Sequence, residues 1–214
     1  MLAHVIPDGP AGRTEATSVL RAGGIVALPT DTVYGIAVDL SAPGGIERLF
    51  AAKQRPAERG IVLLLADATQ AGTIGILDRA GRALADAFWP GGLTLIVHQL
   101  EGLALPAVLT GGAPTIGLRV AAHPAPRALA AAVGPLPTTS ANRSGEPDPR
   151  SAADVMASLG DAVDLILDGG PSPEGRPSTV VDLTGAAPRI VRAGAVPAGR
   201  IREILAGAGS TPAE

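Results

Sequence analysis

Short apolar runs of three to six residues alternate along this chain with Ala-rich amphipathic stretches, and Gly and Pro punctuate nearly every change of pattern. That alternation predicts an α/β protein, with strands and helices interleaved over the whole length. Strands are expected at Ile25–Leu28, Tyr34–Val38, Ile61–Ala66, Leu93–Val97, Thr115–Val120, Leu136–Thr139 and Leu165–Leu167. Two more, Thr179–Leu183 and Arg189–Val191, form a hairpin through Thr184–Ala187. Helices are expected at Thr14–Ala22, stopped by Gly23-Gly24, and at Asp78–Phe88, Pro124–Val133 and Pro197–Ala206. Ser41 is placed to cap a further helix whose Ile46, Leu49 and Phe50 share a buried face, which leaves Lys53 at or just past its end. Ser151-Ala152-Ala153-Asp154 has the form of a capping box, with Asp in place of Glu, opening a helix toward Leu159. Arg143–Arg150 is a polar loop. With neither an internal repeat nor a linker, the pattern is that of one domain over residues 1–214, with its core at about 13–206 and a frayed tail.

Composition narrows the class. Only 2% of the 214 residues are aromatic while 46% are apolar, so Ala, Val, Leu and Ile must fill the core. No run approaches the ~20 apolar residues of a membrane helix, and Met1–Gly12 lacks the basic start and apolar stretch of a secretory signal. The absence of cysteine leaves no disulfide framework and no thiolate metal site, which fits a cytoplasmic protein with no membrane partner. A net charge of −3 argues against a protein that coats nucleic acid. A local basic pocket is still expected, because Arg48, Lys53, Arg55 and Arg59 crowd one segment against Glu47 and Glu58, with Arg119 and Arg192 available to join them.

Familiar chemistry is mostly excluded. Lys53 is the single lysine among 17 basic residues, and Gln54 follows it, so no Walker phosphate loop exists. No Gly-x-Gly-x-x-Gly joins a strand to a helix, no Gly-x-Ser-x-Gly elbow occurs, and His4, His98 and His123 stand apart. What remains are small hydroxyl and amide residues at strand ends, together with cations. Thr30-Asp31-Thr32 closes one strand. Ser140 and Asn142 leave another with one residue between them, so in extended backbone they point the same way. Lys53 and Arg55 likewise pair a compact ammonium with a planar fork, suited to phosphate or carboxylate oxygens. Taken singly, each pattern is also what an ordinary turn produces.

Together, and in this order, Pro29-Thr30-Asp31-Thr32-Val33-Tyr34-Gly35, Lys53-Gln54-Arg55-Pro56, Thr115-Ile116-Gly117-Leu118-Arg119, Ser140-Ala141-Asn142-Arg143-Ser144-Gly145 and Ser178-Thr179-Val180-Val181-Asp182 resemble the YrdC-like threonylcarbamoyl-AMP synthases, over roughly Ala22 to Ala195. The resemblance implies a twisted, mixed, open α/β sheet flanked by helices around a concave basic cavity. It also implies an enzyme that joins L-threonine, bicarbonate and ATP into threonylcarbamoyl-AMP and pyrophosphate, with Mg²⁺ carried mainly by the ATP phosphates. On that basis Lys53, Arg55, Arg59, Ser140, Asn142 and Arg192 hold ATP, with Thr115 and Asp148 at its edges. Lys53, Arg55, Ser140 and Asn142 act on the reacting phosphate, and Thr32, Arg119, Thr138 and Ser178 surround threonine and its carbamate.

Lys53→Ala and Arg55→Ala are expected to lower turnover far more than stability. The product would pass to downstream tRNA threonylcarbamoyl transferase machinery, with weak or no direct tRNA binding. Two departures stand out: Leu64 occupies a position where some members carry a histidine near threonine, and the chain ends soon after Arg192, where the longer branch has a further domain. The rival readings are a nucleotide- or RNA-binding module without chemistry, and a carbamoyl-adenylate-forming domain like that of hydrogenase maturation factors.

Overall fold

A computed structural model describes residues 3–54, 60–103 and 105–211. One ten-stranded mixed sheet runs through it, in the order β1-β8-β2-β3-β7-β4-β6-β5-β9-β10. The strands are β1 (His4–Pro7), β2 (Val26–Leu28), β3 (Gly35–Ala37), β4 (Val62–Leu64), β5 (Leu93–His98), β6 (Thr115–Arg119), β7 (Leu136–Ser140), β8 (Leu165–Asp168), β9 (Thr179–Asp182) and β10 (Arg189–Arg192). Helices α1 (Pro10–Arg21), α2 (Gly45–Lys53), α3 (Ala68–Ala71), α4 (Arg79–Phe88), α5 (Ala107–Thr110), α6 (Pro124–Val133), α7 (Ala152–Leu159) and α8 (Ala198–Gly207) lie between them. The β9–β10 hairpin forms as expected and is antiparallel.

Residue alternation divides the sheet into two faces. Ile25, Ala27, Ile36, Leu63, Leu118, Leu95, Val181 and Ile166 turn to one side, where α2, α4, α7 and α8 cover them with Ile46, Leu49, Phe50, Leu84, Val155, Leu159, Ile201 and Leu205. Val26, Leu28, Leu165, Leu167 and Leu136 turn to the other side, against Ala16 and Leu20 of α1 and Ala125 and Leu129 of α6. Those two helices pack on each other, with α1 over β8 and β2 and α6 reaching β7 and β4. The neighbouring strands β3, β7, β4, β6, β5 and β9 are consecutive in the sheet, and their residues on this face line a cavity.

Local differences from the sequence reading have physical causes. β1 was not expected. Its four residues carry one buried side chain, Ile6, and the strand exists through its parallel pairing with β8. Helix α1 begins at Pro10 rather than Thr14, because proline is pre-set for the first helical turn. Ser41 does not cap α2. Gly44, at φ 73°, takes that position, while the Ser41 backbone N–H and hydroxyl both donate to Asp39 Oδ1. The Ser151–Asp154 capping box is present in both directions.

Candidate functional site

The cavity has a volume of about 390 Å³. Period-2 alternation supplies its floor: Val62 and Leu64 from β4, Thr115, Gly117 and Arg119 from β6, Thr94 and Ile96 from β5, Thr138 and Ser140 from β7, and Val180 from β9. Loops add Thr30, Thr32, Asp148, Pro177, Ser178 and Arg192. Of the residues singled out from sequence, Thr32, Thr115, Arg119, Thr138, Ser140, Asp148, Ser178 and Arg192 therefore share one wall system. Arg55 and Arg59 lie outside the described residues.

Lys53 and Asn142 stand one hydrogen bond back from that wall. Lys53 is 3% exposed at the C-terminus of α2, and its ammonium donates to the Ser140 carbonyl at 2.8 Å, Ser140 Oγ at 2.9 Å and Asn142 Oδ1 at 2.8 Å. Ser140 Oγ in turn donates to Asn142 Oδ1 at 2.7 Å, so the two side chains do converge as their spacing predicted. Asn142 Nδ2 donates to the Glu146 carbonyl, which fixes the amide's orientation. The cluster ties α2 to the end of β7 and to the polar loop beyond it.

Arg119 is the second anchor. It is buried, and its Nε donates to the Gly91 carbonyl, Nη1 to Thr32 Oγ1 at 2.8 Å and Nη2 to Asp31 Oδ1 at 2.7 Å. Burial lowers its pKa below the usual arginine value; Asp31 opposes that shift and nearby Arg192 adds to it. Asp31 also accepts the Ala122 N–H, so one carboxylate fixes both the guanidinium and the loop after β6. Arg192 turns Nε and Nη2 onto the Ser178 carbonyl, and Nη2 onto Ser178 Oγ at 3.0 Å. Desolvation of that inner end lowers its pKa, and Asp148 opposes the shift. Gly194 makes the approach of β10 possible, since a Cβ there would lie 2.3 Å from the Pro177 carbonyl oxygen and 2.5 Å from the Ser178 carbonyl carbon.

Sequence reasoning named Thr30 and Asp31 in the cluster that closes β2 but gave neither a site role, and it passed over Thr94. Asp31 sat inside a quoted motif, but nothing in the chain pointed to a cation 88 residues away. Thr94 had a faint signal, as the one hydroxyl in the apolar run Leu93–Val97. Leu64, the position singled out for a missing histidine, does lie on the cavity wall. Among the described residues, no group of three or more His, Asp or Glu could hold a metal ion, and no helix is long and apolar enough to cross a membrane.

Comparison with known proteins follows this geometry. Residues 18–194 match the Sua5/YciO/YrdC family, described as "Telomere recombination". A protein named threonylcarbamoyl-AMP synthase from Chromohalobacter salexigens is 42% identical over 157 residues, covering 72% of this chain and 83% of its own. Pyrococcus abyssi Sua5, solved in complex with L-threonine, superposes with a TM-score of 0.89 at 32% identity over 99% of this chain, which spans only 61% of that longer protein. E. coli YciO superposes at a TM-score of 0.77 and 30% identity, covering 89% of this chain and 94% of its own. With the strand order, the hydroxyl-lined cavity and the matched span in agreement, this chain belongs to the Sua5/YciO/YrdC family.

Proposed function

We propose that this chain is a threonylcarbamoyl-AMP synthase, which joins L-threonine, bicarbonate and ATP into threonylcarbamoyl-AMP and pyrophosphate for tRNA modification. The observation that carries this reading is the cavity itself. Two anchored guanidiniums, Arg119 and Arg192, and the hydroxyls of Thr32, Thr138, Ser140 and Ser178 converge on one pocket, backed by the Lys53 ammonium. Such a set suits anionic oxygens and an amino acid.

The reaction suits such a site. Threonine's amine adds to carbon dioxide derived from bicarbonate, and the resulting carbamate oxygen attacks the α-phosphorus and expels pyrophosphate. Catalysis is then positioning and charge neutralisation in a partly dry pocket. Arg119 holds the amino acid, pinned on its far side by Asp31 and the Gly91 carbonyl. Lys53 acts on the phosphate through Ser140: its ammonium donates to the Ser140 carbonyl, Ser140 Oγ and Asn142 Oδ1, which brings its charge to the cavity wall at the end of β7. On this reading Arg192 and Thr115 of the cavity face ATP, and Arg55 and Arg59, outside the described residues, are assigned to the same nucleotide by the sequence resemblance. Mg²⁺ carried by ATP would supply further charge neutralisation on the phosphates. The single carboxylate on the described wall, Asp148, suits an ion carried by the nucleotide rather than one held in a protein cage. Cytoplasmic work beside the tRNA threonylcarbamoyl transferase machinery fits this product.

Pyrophosphate release tests the reading. The purified chain with ATP, Mg²⁺, L-threonine and bicarbonate should release pyrophosphate, and omission of threonine or bicarbonate should abolish the release. Release that is indifferent to threonine, or that requires carbamoyl phosphate instead, would contradict it.

A further inference from the structure

Hydroxyls can donate one proton each, and in this cavity their partners determine where most of those protons go. Thr30 Oγ1 donates to the Val33 carbonyl at 2.6 Å, and a carbonyl can only accept. The same oxygen accepts the backbone N–H groups of Thr32 and Val33 at 3.1 and 3.2 Å, so Thr30 is fully occupied within its own turn and has no proton for the Thr32 hydroxyl 3.0 Å away. Arg119 Nη1 donates to the Thr32 hydroxyl oxygen, which keeps a second lone pair for the cavity. Thr138 spends its proton on the Leu136 carbonyl at 2.9 Å, and Ser140 spends its own on Asn142 Oδ1. These walls accept.

One hydroxyl pair differs. Thr94 Oγ1 and Ser178 Oγ lie 2.8 Å apart, and among the described residues the only other partner of either is Arg192 Nη2, which donates to Ser178. Two hydroxyls hold two protons, and the contact between them uses one. The other is left over, on residues that are 1% and 5% exposed and that both line the cavity. Donation from a guanidinium into the pair polarises it and strengthens whichever hydroxyl donates next. A buried polarised O–H with no protein acceptor suits an anionic oxygen.

We propose that Thr94 is a substrate-contacting residue: the Thr94–Ser178 pair donates its remaining proton to the carboxylate of the amino-acid substrate, while Thr32 accepts from that substrate's N–H. The inference rests on the synthase reading and deepens it. Thr32 and the pair flank one end of the pocket. Gly92, the second residue before Thr94, lies against Thr32, since a Cβ there would be 3.5 Å from Thr32 Cγ2, and its carbonyl accepts the N–H of Thr179, next to Ser178. An α-amino acid offers an N–H and a carboxylate only a few bonds apart, which matches an acceptor and a donor set side by side.

The test uses Thr94→Val, which keeps the shape and removes the hydroxyl, and Thr94→Ser, which keeps the hydroxyl. Loss of a hydrogen bond to a charged group should raise the KM for L-threonine about 10- to 100-fold in Thr94→Val. The KM for ATP should stay at the wild-type value, and Thr94→Ser should restore the threonine KM to within about threefold. Melting curves establish that the variants are folded, and Thr94→Ala replaces Thr94→Val should the latter fail to fold. An unchanged threonine KM, an equal rise in the ATP KM, or a Thr94→Ser as impaired as Thr94→Val would overturn the assignment. A wild-type chain that makes no product would instead remove the synthase reading on which the assignment rests.

Discussion

Lys53 shows what the residue scale adds. From sequence it was conspicuous as the one lysine among arginines, and its company with Ser140 and Asn142 could be expected from the family resemblance, which sets all three on ATP. Its burial could not, because it comes from β7 passing the end of α2. An ammonium with three oxygens around it cannot be deleted without leaving buried acceptors unpaired. Lys53→Met should therefore lower stability by about 1–3 kcal/mol in urea unfolding, in addition to the loss of turnover that the sequence led us to expect. Wild-type stability in that variant would show that the three bonds count for little. Asp31 makes a sharper case, since Arg119 and Asp31 are 7% and 12% exposed at their side chains. Asp31→Ala leaves a buried guanidinium without its counter-ion, and a cost of about 3–5 kcal/mol is expected from thermal or urea unfolding. Neither partner's sequence neighbours indicate the other.

Elements were legible where their periodicity was long and their caps local. Helix α6 was placed at Pro124–Val133 and lies there, and the capping box of α7 formed from four adjacent residues. Ser151→Ala should cost about 0.5–2 kcal/mol in unfolding free energy, as loss of an N-cap does elsewhere. What sequence could not supply were elements that depend on distant partners, such as β1 against β8, and caps made by an unusual side chain. His123 is such a cap: its Nδ1 accepts the Ala125 N–H at 3.1 Å at the start of α6. Burial holds its pKa below the ordinary 6.5, with Asp8 opposing and Arg13 reinforcing. The folded state thus binds a proton less readily than the unfolded chain. The stability contributed by neutral His123 is complete above about pH 6.5 and is lost as pH falls through the lowered folded value. His123→Asn keeps a capping acceptor without a titrating ring, and its unfolding free energy should fall less than the wild type's between neutral and mildly acid pH. Parallel pH profiles for the two proteins would contradict this.

At the scale of the whole molecule, strand order decides where chemistry can happen. The sequence showed which segments were strands, but only pairing across the chain sets the order β3-β7-β4-β6-β5-β9, and that order gathers Thr32, Thr94, Arg119, Thr138, Ser140 and Ser178 from five separate stretches into one pocket. Helices α2, α4, α7 and α8 pack on one face, while on the other α1 lies over β8 and β2 and α6 reaches β7 and β4, and the cavity occupies the rest of that face. The central claim is that this pocket joins threonine, bicarbonate and ATP, and the most direct measurement is mass spectrometry of the product made with carbon-13-labelled bicarbonate. The account predicts a threonine-containing adenylate that carries the label in its carbamoyl carbon. An adenylate without threonine, or without the label, would contradict it.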